Sequence, residues 1–342
     1  MQSRTGYLSI ILGVITIIFF VGRKNKNLLI WLGLLFMGLI ASSLTKSDTI
    51  ARKSKQYSGS TRMTTYQLTY EMIKKNPIFG VGYGNFLSAF RLHYAKRKKE
   101  DPSIETIGNN NMDHPHNEIL FWAVEGGIIP FIGLLIIAGA FLNMTWRKKQ
   151  KSSMAMLGLV LPILIHTQLE LPFYISLIHW FLFIFIIYII DSEISRQFEI
   201  NIELPSIFRV LSLSIPIIIS VYMTTTLITA SAITRFERTG YKDPSLLVSI
   251  SNPHAWQKKY ETLIMKLNLN IAKKTNDLDK LNDYINWAEQ YVEHSPYLFI
   301  YYNLATAYEA IGYGEKAWEI YRYAQYLYPG AKWRDKHNSN ID

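Results

Sequence analysis

The sequence predicts an all-α, polytopic helical membrane protein with a large loop on the outer face and a helical C-terminal domain. Three observations predict it. Apolar residues fill 49% of the 342 positions, yet they are bunched into six blocks instead of following the period of a soluble core. Positive charge collects in the short connections on one side of those blocks. Beyond residue 230 the chain turns charged, with apolar residues at helical spacing.

The first block, 7–21, is marginal against the roughly 17 to 25 residues that cross a bilayer. Only Arg4 lies ahead of it and no small-residue cleavage pattern follows, so it reads as a retained span and not as a secretory signal. Block 28–44 completes a pair of spans over residues 1–44. Blocks 128–144, 154–165, 172–190 and 210–230 give four more over residues 117–230, with 154–165 short enough to tilt or lie partly buried.

Orientation follows from the short connections. Arg23, Lys24 and Lys26 follow the first block, Arg147, Lys148, Lys149 and Lys151 the third, and Arg196 and Arg209 lie between the fifth and sixth. These face the cytoplasm, because short loops rich in Lys and Arg are retained there. The connection 166–174 has neither residue and lies outside. The loop 45–116 and the domain 231–342 fall on that same side, beyond the reach of ATP. Much of the net charge of +10 sits in the cytoplasmic connections, where it sets topology and does not signal nucleic acid. The chain has no cysteine, which fits an oxidising compartment managed without disulfides and excludes thiol catalysis.

The outer loop is basic, with twelve Lys and Arg against six carboxylates. Held near a bilayer, such a surface suits phosphate groups. The run around Arg97 reads as a solvated charge run. Arg62 is distinct, because it opens an amphipathic helix over 61–75 whose Met63, Tyr66, Tyr70 and Ile73 share one face for packing. After Asn76-Pro77 comes Gly80-Val81-Gly82-Tyr83-Gly84, which reads as a tight turn. It lacks the Lys-Ser/Thr and the strand context of a nucleotide loop.

One polar run stands at the mouth of a membrane helix: Asp113-His114-Pro115-His116-Asn117, followed by apolar residues from 119. Imidazole, with an ordinary pKa of about 6.5, suits proton abstraction near neutral pH. A His-x-His pair beside Asp113 is also a conceivable metal site, but it lacks the helical His-Glu-x-x-His spacing and a third nearby imidazole. His114 reads equally as an interfacial hydrogen-bonded residue. Glu125 is an ionisable group at membrane depth, a functional candidate by default. Glu170, at a span boundary, reads either as a second such candidate or as a helix-end carboxylate in water.

In the C-terminal domain, Tyr302-Asn303-Leu304-Ala305, Ala307-Tyr308, Gly312, Ala317, Tyr321, Ala324 and Tyr328-Pro329 resemble a tetratricopeptide repeat. Trp287-Ala288, Tyr291 and Ser295-Pro296 look like the end of a preceding unit. Pro296 and Pro329 lie 33 positions apart, near the repeat length of about 34. A helical cap on the membrane domain and a docking surface for a protein are both open readings.

The succession Arg62, Tyr66, Pro77-x-x-Gly80-x-Gly82, His114-x-His116-Asn117 and Glu125-x-Gly127 resembles the bacterial O-antigen ligase superfamily, as does Ser3-Arg4 before the first span. His166-x-x-Leu169-Glu170-x-Pro172 and the helical tail are similar to its protein O-oligosaccharyltransferase branch, of the PglL type. The family carries further spans ahead of the Ser-Arg stretch, so the chain is expected to correspond to the C-terminal part. The resemblance implies a GT-C-like membrane fold in the bacterial inner membrane, with the site on the periplasmic side and no metal or other cofactor. Its donor would be an oligosaccharide on undecaprenyl diphosphate, and its acceptor a Ser or Thr hydroxyl of an exported protein such as a pilin. Arg62 and Arg4 would hold the diphosphate and His116 would be the general base, supported by His114, Asp113, Glu125 and Glu170. A ligase or polymerase acting on a lipid A core or a growing glycan is the alternative. A non-enzymatic transporter or assembly scaffold would not call for His and Arg concentrated on one side.

Overall fold

The computed structural model describes residues 4–21, 26–44, 49–107, 112–147, 151–192 and 205–331. Arg23, Lys24, Lys148, Lys149 and Arg196 of the topology argument lie outside them, as does the side chain of Arg4. The protein is all-α, and the described residues contain no strand. It divides into a first unit, residues 1–197 with 327–342, and a second, residues 198–326.

In the first unit, α1 (Arg4–Val21), α2 (Lys26–Leu44), α6 (Ile128–Arg147) and α7 (Lys151–Thr167) each overlie one apolar block. The block 172–190, read as one span, folds instead as a single turn α8 (Pro172–Ile175) and a helix α9 (Leu177–Ser192), separated by extended Ser176. By length and hydropathy, the stretches Ile128–Trp146 and, in the second unit, Ser206–Arg238 are long enough to cross a bilayer, while Leu8–Val21, Ala155–Thr167 and Leu177–Ser192 are shorter apolar helices.

Helix α1 packs tightly on α7. A Cβ built on Gly13 would lie 2.5 Å from the Gly158 carbonyl oxygen, and one on Gly158 would lie 2.6 Å from that of Gly13. Paired glycines let two backbones approach to this distance, and in lipid such packing drives association. Gly13 also faces Pro162 while Gly158 faces Ile17, so the two helices run antiparallel. The other face of α7 meets α9 and α6 around Val160, Ile186, Ile190 and Phe141.

The outer loop folds into α3 (Thr49–Lys75) and α4 (Phe86–Glu100), which pack with α5 (Glu118–Gly126) over Leu68, Met72, Phe86, Phe90, Tyr94 and Val124. Helix α3 begins twelve residues before the expected start. Its buried face also differs from the expected one: Thr65, Leu68, Thr69 and Met72 are buried, whereas Met63 is 70% and Tyr70 53% exposed. The reason is that Thr65 and Thr69 return their hydroxyl protons to the carbonyls of Thr61 and Thr65, at 2.8 Å each, so they enter the core with their donors satisfied.

The basic run of α4 is likewise more than a solvated face. Arg91 is fully buried, Arg97 Nε donates to Glu71 Oε2 at 3.0 Å, and Lys98 donates to the Pro102 carbonyl at 2.7 Å. Glu71 Oε2 also meets His93 Nε2 at 2.9 Å, while His93 Nδ1 meets Lys75 Nζ at 3.2 Å. An ammonium can only donate, so Nδ1 accepts and the proton sits on Nε2. Burial holds this imidazole toward its neutral form, against the opposing pull of Glu71.

The second unit begins with α10 (Pro205–Arg238), followed by the short α11 (Ser245–Val248) and helices α12 (Gln257–Thr275), α13 (Leu278–His294), α14 (Leu298–Ala310) and α15 (Gly314–Leu327). Helices α12 to α15 form two successive hairpins. The turn between α12 and α13 uses Asn276 in the left-handed region, φ 52°, and Asp277 as N-cap, its carboxylate accepting from the Lys280 N–H. Ala272, Ala288 and Ala307 are fully buried where α12, α13 and α14 meet around Leu281, Tyr284 and Leu304.

Candidate functional site

Three segments of the first unit converge. Arg62 and Tyr66, four residues apart, share one face of α3. The run 113–117 supplies His114, His116 and Asn117, and the connection between α7 and α8 supplies Gln168 and Glu170.

Glu170 is the centre of the arrangement. Arg62 Nη2 donates to its Oε1 at 2.5 Å, and His116 Nδ1 lies 3.0 Å from its Oε2. A carboxylate only accepts, so His116 Nδ1 carries a proton, and in the neutral ring the lone pair is on Nε2. The hydrogen bond from His116 holds the Glu170 carboxyl below its ordinary range, over the opposing effect of burial, with the charge of Arg62 adding to it. The three side chains are between 28% and 37% exposed, so a ligand in solution or at a membrane surface can reach them.

The backbone of His116 is held in an uncommon conformation. Its φ is 57°, in the left-handed region that costs a non-glycine residue roughly 1 to 2 kcal/mol. Two bonds oppose that cost. The His116 N–H donates to His114 Nδ1 at 3.1 Å, and the Tyr66 hydroxyl donates to the His116 carbonyl at 3.1 Å. The Gln168 carbonyl is a second neighbour of the hydroxyl at 3.3 Å. A phenol has one proton, and the shorter contact, to the His116 carbonyl, takes it, while Asn117 Nδ2 donates to the Gln168 carbonyl at 3.2 Å. Burial pulls His114 toward its neutral form, with the neighbouring His116 adding to the effect, and this preserves the lone pair on Nδ1.

Asn117 has a second task. Its Oδ1 accepts from the Leu120 N–H at 2.9 Å, capping α5. An Asn immediately before an apolar run is the sequence signal for that cap. The positioning bonds from Tyr66 and to the Gln168 carbonyl have no such signal, because one joins residues 50 positions apart and the other ends on backbone.

The remaining candidates are placed differently. Asp113 is mostly exposed, 3.5 Å from His114 Nε2. Glu125 is only 6% exposed and accepts from the N–H groups of Gly84 at 3.0 Å and Phe86 at 3.2 Å. Both bonds go to the glycine turn and the start of α4, not to Arg62, His116 or Glu170. Gly80, Gly82 and Gly84 all have positive φ, and the Val81 and Gly82 N–H groups donate to the carbonyls of Val124 and Glu125 at 2.8 and 2.9 Å. The turn is therefore clipped along the end of α5. For Arg4 the backbone alone is described: it is the first residue of α1, which packs antiparallel on α7 through Gly13 and Gly158.

Chemically, an imidazole lone pair oriented by a carboxylate, with a guanidinium on that same carboxylate, can take a proton next to a fixed positive charge. Among the described residues, no group of three or more His, Asp and Glu is arranged to hold a metal ion.

Two family models match the chain. One, described as O-antigen ligase, covers residues 1–135, and the other, described as the C-terminal part of a virulence factor membrane-bound polymerase, covers residues 154–340. No curated protein and no solved structure gives a match. With more than half of its 342 residues inside the second match and Arg62 to Asn117 inside the first, the chain belongs to the virulence factor membrane-bound polymerase family, within the O-antigen ligase superfamily of inner-membrane glycosyl-transfer proteins.

Proposed function

We propose that this protein transfers a pre-assembled oligosaccharide from undecaprenyl diphosphate to a Ser or Thr hydroxyl of an exported protein such as a pilin, on the periplasmic side of the inner membrane. The observation that carries the reading is the Glu170 carboxylate joining Arg62 to Nδ1 of His116. His116 Nε2 takes the acceptor hydroxyl proton as the oxygen attacks the anomeric carbon. The bond from that carbon to the diphosphate oxygen breaks, and its electron pair leaves with the diphosphate. Glu170 balances the imidazolium that forms. The bond to Glu170 occupies one of the five N–H groups of Arg62, leaving others for the diphosphate oxygens, and Arg4 is assigned to the same diphosphate from the family resemblance. A single displacement inverts the anomeric carbon.

A second reading keeps the donor and the chemistry but takes a glycan or lipid A core as acceptor. The ligase and polymerase descriptions of the two matching families favour it. The experiment that separates the two supplies a lipid-linked glycan with either a pilin-type or a glycan acceptor, comparing wild type with His116→Ala and Arg62→Ala at matched membrane levels. Loss of transfer by at least about a hundredfold in His116→Ala is expected. Undiminished transfer would remove His116 from its role, and retention at the anomeric carbon would replace the single displacement by a covalent intermediate.

A further inference from the structure

The turn between α3 and α4 has a feature that the transfer reaction does not use. Ile78 is 56% and Phe79 74% exposed, both at the tip of a turn whose Val81 and Gly82 N–H groups are clipped to α5. The Pro77 carbonyl accepts from the Ile128 N–H at 2.9 Å, and a Cβ on Gly127 would lie 2.1 Å from the Ile78 carbonyl oxygen. The tip therefore sits at the first residue of α6, the helix long and apolar enough to span a membrane, whose Ile128, Ile129 and Ile132 are exposed as well. On the other side of the tip, α3 ends in Lys74 and Lys75, both exposed.

We infer that Ile78 and Phe79 are seated in the bilayer leaflet at the level where α6 begins, with Lys74 and Lys75 among its headgroup phosphates. The occupant is lipid because the apolar tip is continuous with the lipid-facing surface of α6, and because a pair of cations at its edge matches anionic headgroups. Seated there, the tip serves as a second anchor beside the span. It fixes the height of α5, and with it His116 at the α5 entrance, above the bilayer. The inference rests on α6 crossing the membrane and not on the transfer reaction.

The absence of cysteine makes the test direct. Single variants Ile78→Cys, Phe79→Cys, Ile136→Cys and Lys99→Cys carry a nitroxide label in the full chain, reconstituted into vesicles of phosphatidylethanolamine and phosphatidylglycerol. Collision with oxygen, which concentrates in lipid, is compared with collision with a water-soluble nickel chelate. Labels at 78 and 79 are expected to favour oxygen, between the membrane value at 136 and the aqueous value at 99. All four positions are exposed or partly so, and the two tip sites report independently if one label perturbs the turn. A label at 79 matching 99 overturns the inference, as does one shielded from both reagents, which would place protein over the tip. An aqueous value at 136 overturns the α6 span itself, and the inference with it.

Discussion

At the scale of single residues, Glu170 holds the site together, and its removal has a pH signature. Its folded carboxyl is held below the ordinary range, chiefly by the hydrogen bond from His116. Its contribution to stability is therefore fully present above the ordinary glutamate value of about 4.3 and disappears as pH falls through the lower folded value. Glu170→Gln is expected to lower the melting temperature at neutral pH, with the gap to wild type closing in acid. A gap of constant size from pH 7 to below 4 would show that the carboxylate charge is not what the site uses. His114 and His116 stood out in the sequence as a polar pair at the mouth of an apolar helix, and Arg62 as the cation that opens an amphipathic helix. Tyr66 did not acquire a role there, since a tyrosine in an amphipathic helix reads as packing and its partner is a backbone carbonyl. The partners of Glu125 were hidden for a related reason: a lone carboxylate among apolar residues marks burial, and only the fold reveals that it accepts from the amides of Gly84 and Phe86.

At the scale of elements, the apolar helices were legible because a block of apolar residues needs no partner to be recognised, although by length and hydropathy only Ile128–Trp146 and Ser206–Arg238 among the described residues are long enough to cross a bilayer. The interruptions of the blocks were not legible. Ser176, which separates α8 from α9, is one small polar residue in an otherwise apolar run. The α3 face was predicted one step around the helix from the true one, because threonine was counted as polar although its hydroxyl is satisfied within the helix. The α1–α7 contact has no margin for a side chain, since the atom that a Cβ meets is backbone and cannot rotate away. Gly158→Leu is expected to separate the two helices at a cost of about 1 to 3 kcal/mol, the usual range for overpacking. Thermal denaturation in detergent would detect it, and an unchanged melting temperature would mean that the pair is not closely packed.

At the scale of the whole molecule, the two units carry separate cores and separate predictions. Ala305 is fully buried in α14. Ala305→Leu is expected to destabilise the second unit by a similar 1 to 3 kcal/mol. Hydrogen exchange should rise in α12 to α15 and stay unchanged in α3, α4 and α5, and a rise in both would show that the units unfold together. The division itself was only partly legible. The change of composition near residue 230 was visible, but α10 runs unbroken from Pro205 to Arg238 across it.

Gly127 has a consequence for how any motion of this protein is shared out. It joins α5 to α6 with φ 71°, and the Ile78–Phe79 peptide occupies the space where its side chain would be. A glycine between two helices invites reading as a swivel. Here the space of the missing side chain is filled by another segment of the chain, so the joint is wedged, and α5, with His116 at its entrance, inherits the tilt of α6 instead of moving independently of it.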